Sequence, residues 1–124
     1  MTRAARSVFV FAIYLFVLGG ALVAVPNALL SVFRMPSTGE VWIRVVGVLV
    51  VLLGYYYSGA ARREMTEFFR WTVHARSAVL VFFAAFVLLG LAPPVLLLFG
   101  AVDAAAACWT ALSLRADGAG GAAA

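Results

Sequence analysis

Apolar positions along this chain fall into four long runs separated by short polar breaks. The first run covers about Ser7 to Val25. Pro26 then opens the segment PNALLSVF (26–33), which has Leu29, Leu30 and Phe33 on one side and Asn27 and Ser31 on another. Proline suits a first helical position, so this reads as a short helix lying at the membrane interface or extending the first span. RMPSTGE (34–40) is a loop, and Glu40 places a carboxylate at the positive end of the next helix. The second run is VWIRVVGVLVVLLGYYYSGAA, residues 41–61.

RREMTEFFRWTVHAR (62–76) is a polar, aromatic-rich connection, and Thr66 is the expected N-cap of a third helix over 67–91. Pro93-Pro94 makes a turn, and the fourth run, 95–114, ends at Arg115. The remainder, ADGAGGAAA (116–124), is low in complexity and is expected to be disordered. Each run has about the 20 residues that a ~30 Å hydrocarbon core requires. The pattern predicts an all-α fold, an antiparallel bundle of four transmembrane helices forming one domain over residues 1–115.

Composition fixes the solvent. The chain is 66% hydrophobic and 11% charged, with mean hydropathy +1.10. A soluble domain carries about 25% charged residues, and 124 residues cannot hide this much apolar surface from water. The N-terminal arginines ahead of an apolar run resemble a signal peptide. The run is longer than the usual ~7–15-residue core and no A-x-A site closes it, so it reads as an uncleaved first span.

Charge sets the orientation. All nine basic residues are arginine, which together with abundant Ala, Gly and Val reads as a high-GC bacterial coding bias. Arg3 and Arg6, then Arg62, Arg63, Arg70 and Arg76, then Arg115 flank one side of the predicted spans. Arg34 and Arg44 belong to the other. The positive-inside rule puts both termini in the cytoplasm of a bacterial inner membrane, and the imbalance argues against dual topology. The arginines lie beside apolar segments and form no soluble basic face, so nucleic acid is not an expected partner. Expected partners are the lipid bilayer and either another membrane protein or a second copy of the chain.

Two constellations carry candidate chemistry. Arg44 sits just inside the second run, at helical spacing from Gly47, Gly54, Ser58 and Ala61, a face nearly free of bulk. A charge there costs roughly 2.5–3.5 kcal/mol on insertion scales and calls for a protein partner. Asp103 is the only acid well inside a run, roughly 13 Å from Pro94 at ~1.5 Å per residue, on a small stripe with Gly100, Ala107 and Thr110. A buried Arg44–Asp103 pair is therefore expected, with Glu40 and Asn27 above it. It either fixes helix register or lines an outward polar pocket for a head group, a quinone or a proton.

The second constellation is Arg70 and His74, four apart on the third helix. With Tyr55 and Ser58 they are placed to line an inner vestibule or contact lipid head groups. No second His, Cys or acid stands at ligand spacing, so no metal is expected. Cys108 is the single cysteine, which excludes an internal disulfide and reads as a small hydrophobe. No nucleophile–base set or phosphate-cradling loop is present, so autonomous catalysis is not expected.

Pro26-Asn27-x-Leu29-Leu30-x-x-Phe33 closing a first span, Trp42-Ile43-Arg44-x-x-Gly47 with Gly54 further on, and an acid in the last of four spans together resemble the DoxX-like membrane proteins over about residues 8–115. The resemblance implies a compact four-helix membrane bundle with Arg44 and Asp103 as polar interior residues. The namesake of that family is a small membrane subunit associated with a thiosulfate–quinone oxidoreductase, and no redox motif of this chain carries that activity over. Small multidrug transporters, also four-span, depend on an acid in the first span, which this chain lacks.

The expected function is an accessory or lipid-interacting membrane protein held by an Arg44–Asp103 clamp, with no cofactor of its own. The alternatives are a membrane subunit binding a quinone-like or sterol-like ligand for a redox or isomerase-type enzyme, and a small proton-coupled transporter using Asp103.

Overall fold

The computed structural model describes residues 1–123, with side chains described to residue 118, and among these the chain is all-α. Five helices follow in order: α1 (Arg3–Ala24), α2 (Pro26–Val32), α3 (Trp42–Arg62), α4 (Thr66–Leu88) and α5 (Leu96–Ala123). α1, α3, α4 and the stretch Leu96–Gly118 of α5 are each long and apolar enough to cross a membrane. The four spans and the short helix after Pro26 are those that the hydropathy pattern predicts. Their outer faces stay apolar: Val17 is 69%, Val81 70% and Leu88 87% exposed. Lipid is the solvent in which such faces are stable.

One device ends three of the helices. At the end of α4, Gly90 has φ +75°, the Leu91 N–H donates to the Phe86 carbonyl at 2.9 Å and the Gly90 N–H to the Val87 carbonyl at 3.1 Å. This is a Schellman motif, and it stops the helix at Leu88 rather than at the expected residue 91. The same pair of bonds closes α2, with Arg34 at φ 56°, and α3, with Glu64 at φ 53°. Neither is glycine, so each holds a left-handed conformation that costs an L-residue roughly 1–2 kcal/mol.

The turn at Glu64 feeds straight into α4. Thr66 donates its N–H to the Glu64 carbonyl at 2.9 Å and is already helical, so the cap position falls on Met65 and not on Thr66 as expected. α1 starts at Arg3, before the expected Ser7, because Thr2 caps it: the Ala5 N–H donates to the Thr2 hydroxyl at 3.1 Å. α5 reaches Ala123, past the span end expected at Leu114. The segment 116–124 therefore begins inside α5, and Ala124 lies outside the described residues.

The chain forms two compact units, Phe9–Gly59 and Met1–Val8 with Ala60–Ala124. In the first, α1 and α3 meet backbone to backbone. A Cβ on Gly19 would stand 2.7 Å from Val51 Cγ2 and 2.8 Å from the Gly47 carbonyl, and one on Gly47 2.8 Å from Leu22 Cβ and 2.9 Å from the Gly19 carbonyl. Only glycine permits that approach. Gly47 and Gly54 pack as their spacing predicts, but on α1 the contact belongs to Gly19, while a Cβ on Gly20 would meet nothing within 4 Å. Phe11 and Tyr57 add a ring contact at 5.8 Å. In the second unit α4 and α5 pair, with Gly100 against Leu80; a Cβ there would be 3.1 Å from the Leu80 Cα.

Candidate functional site

The interior of the second unit is polar where a membrane protein would usually be apolar. Arg76 stands at the middle of α4 and is 2% exposed. Its Nε donates to the Thr72 carbonyl at 3.1 Å, and its Nη2 to the Thr72 hydroxyl at 3.0 Å and the Thr110 hydroxyl at 2.9 Å. Thr110, fully buried, shares a 2.7 Å hydrogen bond with the equally buried Ser7 of α1. Thr72 lies one turn before Arg76 on the same face of α4, and Thr110 follows Ala107 on the small stripe of α5, so helical periodicity sets each face and the pairing of α4 with α5 brings them together. Asp103, on that stripe and half-buried, is near enough for the Arg76 charge to act on it.

A second cluster ties the ends of the unit. The two Asp117 oxygens accept the Arg3 N–H at 3.2 Å and the Ala4 N–H at 2.9 Å. Glu64 accepts the Thr2 N–H at 2.9 Å and the Thr2 hydroxyl at 2.7 Å. Two carboxylates thus sit on the positive end of α1, satisfying N–H groups that the helix itself leaves unpaired. The Thr2 hydroxyl, then the Thr2 amide, hold the Glu64 carboxyl below its ordinary value of 4.5.

Beside this end, between α4 and α5, a cavity of about 200 Å³ is lined by Arg70, Val73, His74, Ala111 and Leu114. Another of about 230 Å³ shares Arg70 and Leu114 and adds Thr2, Ala4, Thr66, Asp117 and Gly118. Arg70 Nη1 also meets Glu67 Oε1 at 2.8 Å in an exposed ion pair.

The sequence-derived candidates divide accordingly. Arg70 and His74 share a cavity, as their spacing suggests, whereas Tyr55 belongs to the other unit and is 67% exposed beside Tyr56. Arg44 is exposed, and its guanidinium donates to the Val23 carbonyl near the end of α1, where a cation suits the helix dipole. Asn27 is engaged in the loop: its Nδ2 donates to the Thr38 carbonyl at 3.0 Å and its Oδ1 accepts the Thr38 N–H at 2.9 Å. Glu40 is exposed, its N–H bonded to the Thr38 hydroxyl at 3.2 Å. Arg44, Asn27 and Glu40 lie in the unit Phe9–Gly59, and Asp103 in the other.

Sequence reasoning missed Arg76 as an interior residue by counting it among the loop arginines. The signal was available: a helix starting at Thr66 places residue 76 three turns in, with Thr72 one turn before it. Among the described residues no group of His, Cys, Asp and Glu is placed to hold a metal ion. No family model, no curated protein and no solved structure matches this chain.

Proposed function

We propose that this chain is a multi-pass bacterial inner-membrane protein of accessory, lipid-interacting type, with no reaction of its own. The observation that carries the reading is Arg76. Its guanidinium is fully buried and hydrogen-bonded to Thr72 and Thr110, and Thr110 to Ser7, so the interior cation joins α4, α5 and the start of α1. Intramembrane charges usually mark either a pathway or a clamp, and one whose donors meet neighbouring hydroxyls fits the clamp. In this reading Asp103 balances Arg76, and Arg44 serves the end of α1. The resemblance of residues 8–115 to the DoxX-like proteins fits the same picture. Six exposed arginines, Arg3, Arg6, Arg62, Arg63, Arg70 and Arg115, support cytoplasmic termini.

A second reading, a proton-coupled transporter, is favoured by one feature: Asp103 is a half-buried acid inside a span. Reconstitution separates the two. Vesicles holding the wild type and Asp103→Asn, loaded with a pH-sensitive dye and given a pH gradient, should leak protons at the rate of empty vesicles. Flux in the wild type that Asp103→Asn abolishes would establish the transporter instead. An Arg44–Asp103 clamp is testable through the double-mutant cycle of Arg44→Gln and Asp103→Asn. A coupling above ~0.5 kcal/mol would establish that pair, and additivity would exclude it.

A further inference from the structure

We infer that the cleft between the first turns of α4 and the last turns of the α5 span binds one anionic phospholipid, its phosphate on Arg70 and its glycerol-ester region at His74. This deepens the lipid-interacting reading above and rests on it. The hydrogen bonds from Thr2 to Glu64 and from Arg3 and Ala4 to Asp117 bring the start of α1, the α3–α4 turn and the end of α5 together. Six exposed arginines surround that end against three carboxylates, Glu64, Glu67 and Asp117. A surface of that balance meets the anionic phosphates of a membrane leaflet.

Within this collar the two cavities, of about 200 and 230 Å³, share Arg70 and Leu114 as walls. Their chemistry is graded along the helix axis. Arg70 lies nearer the helix end, where a phosphate would sit, and its planar fork matches two phosphate oxygens. His74 lies one turn deeper, about 6 Å, at the level of the ester carbonyls, where a ring N–H can donate. Val73, Ala111 and Leu114 form an apolar wall along which an acyl chain can lie. Trp71, 64% exposed beside Arg70, belongs at the same interfacial depth. A free phosphate would use Arg70 and leave the apolar wall uncovered, so the geometry favours the lipid. The Glu67 carboxylate now on Arg70 is exposed, and such pairs yield readily to a bidentate anion.

The test is a thermal-unfolding titration of the full chain in neutral micelles with phosphatidylglycerol, phosphatidylcholine of the same acyl chains, or inorganic phosphate. Phosphatidylglycerol should raise the midpoint by several degrees at saturation, and the other two should not. Arg70→Gln with His74→Gln should remove that shift and leave the lipid-free midpoint in place. Should that variant lose its own transition, Ala111→Leu fills the cleft, keeps both side chains, and should remove the shift alone. Glu67→Gln should move the titration to lower lipid. Equal shifts from both lipids, a shift reproduced by phosphate, a shift that survives in the Arg70/His74 variant, or a titration that Glu67→Gln leaves unmoved would each overturn the site. Proton flux in the vesicle experiment would overturn the accessory reading instead and leave this shift in place.

Discussion

Thr110 joins two buried partners through one hydroxyl, 2.9 Å from Arg76 Nη2 and 2.7 Å from Ser7 Oγ. Thr110→Val keeps the shape and deprives both partners, so it should destabilise the chain by about 1–2 kcal/mol in a micelle unfolding assay. Ser7→Ala, which leaves the Arg76 bond intact, should cost less. Glu64 makes a pH prediction. Its carboxyl is held below 4.5 by Thr2, so the tie to α1 is fully present above that value. It is lost as pH falls through the lowered folded value, where the unfolded chain binds the proton more readily. Unfolding midpoints should therefore drop on acidification below pH 4.5, and Glu64→Gln should flatten the drop. At this scale the sequence was only partly legible. Thr110 and Asp103 could be placed on one face by counting, and Arg70 with His74 likewise. Arg76 falls inside the expected helix 67–91, so its place was legible as well, whereas the Glu64 and Asp117 ties join residues 62 and 113–114 positions apart, beyond any local pattern.

Helices are where pattern reading succeeds, because ~20-residue apolar runs leave a backbone in lipid no other way to satisfy its hydrogen bonds. The ends are harder. A Schellman turn on glycine, as at Gly90, has a sequence signal, but the same turn on Arg34 and Glu64 has none. The seam on α1 is equally hard to place. Adjacent glycines at 19 and 20 look alike in sequence and point about 100° apart on the helix. The difference is measurable. Gly19→Ala or Gly47→Ala sets a methyl under 3 Å from opposing backbone and should cost about 1–3 kcal/mol in the same unfolding assay. Gly20→Ala meets nothing within 4 Å and should be neutral or slightly stabilising through helix propensity.

For the whole molecule, four helices are long and apolar enough to cross a membrane, and a chain that crosses four times would return to the side on which it began. Cys108 gives a direct check, since it is the only cysteine and is exposed in the protein itself, midway along the span Leu96–Gly118. In membranes that surface faces lipid. A membrane-impermeant maleimide should leave it unlabelled in sealed or leaky vesicles and modify it fully once the chain is unfolded in detergent. Rapid labelling in leaky vesicles would mean that α5 does not span.

The caps on α1 also have an order in time. The first helix leaves the ribosome before either carboxylate that caps it has been made: Glu64 follows the second span, and Asp117 comes after nearly all of the fourth. Thr110, the partner of Ser7, is equally late. Until Glu64 is made the leading end of α1 has Thr2 alone, and until α5 is complete water or lipid phosphates must stand in for Asp117 at the Arg3 and Ala4 N–H groups. Translation that stalls before residue 110 should therefore leave an inserted but protease-sensitive N-terminal end, and completion of α5 should protect it.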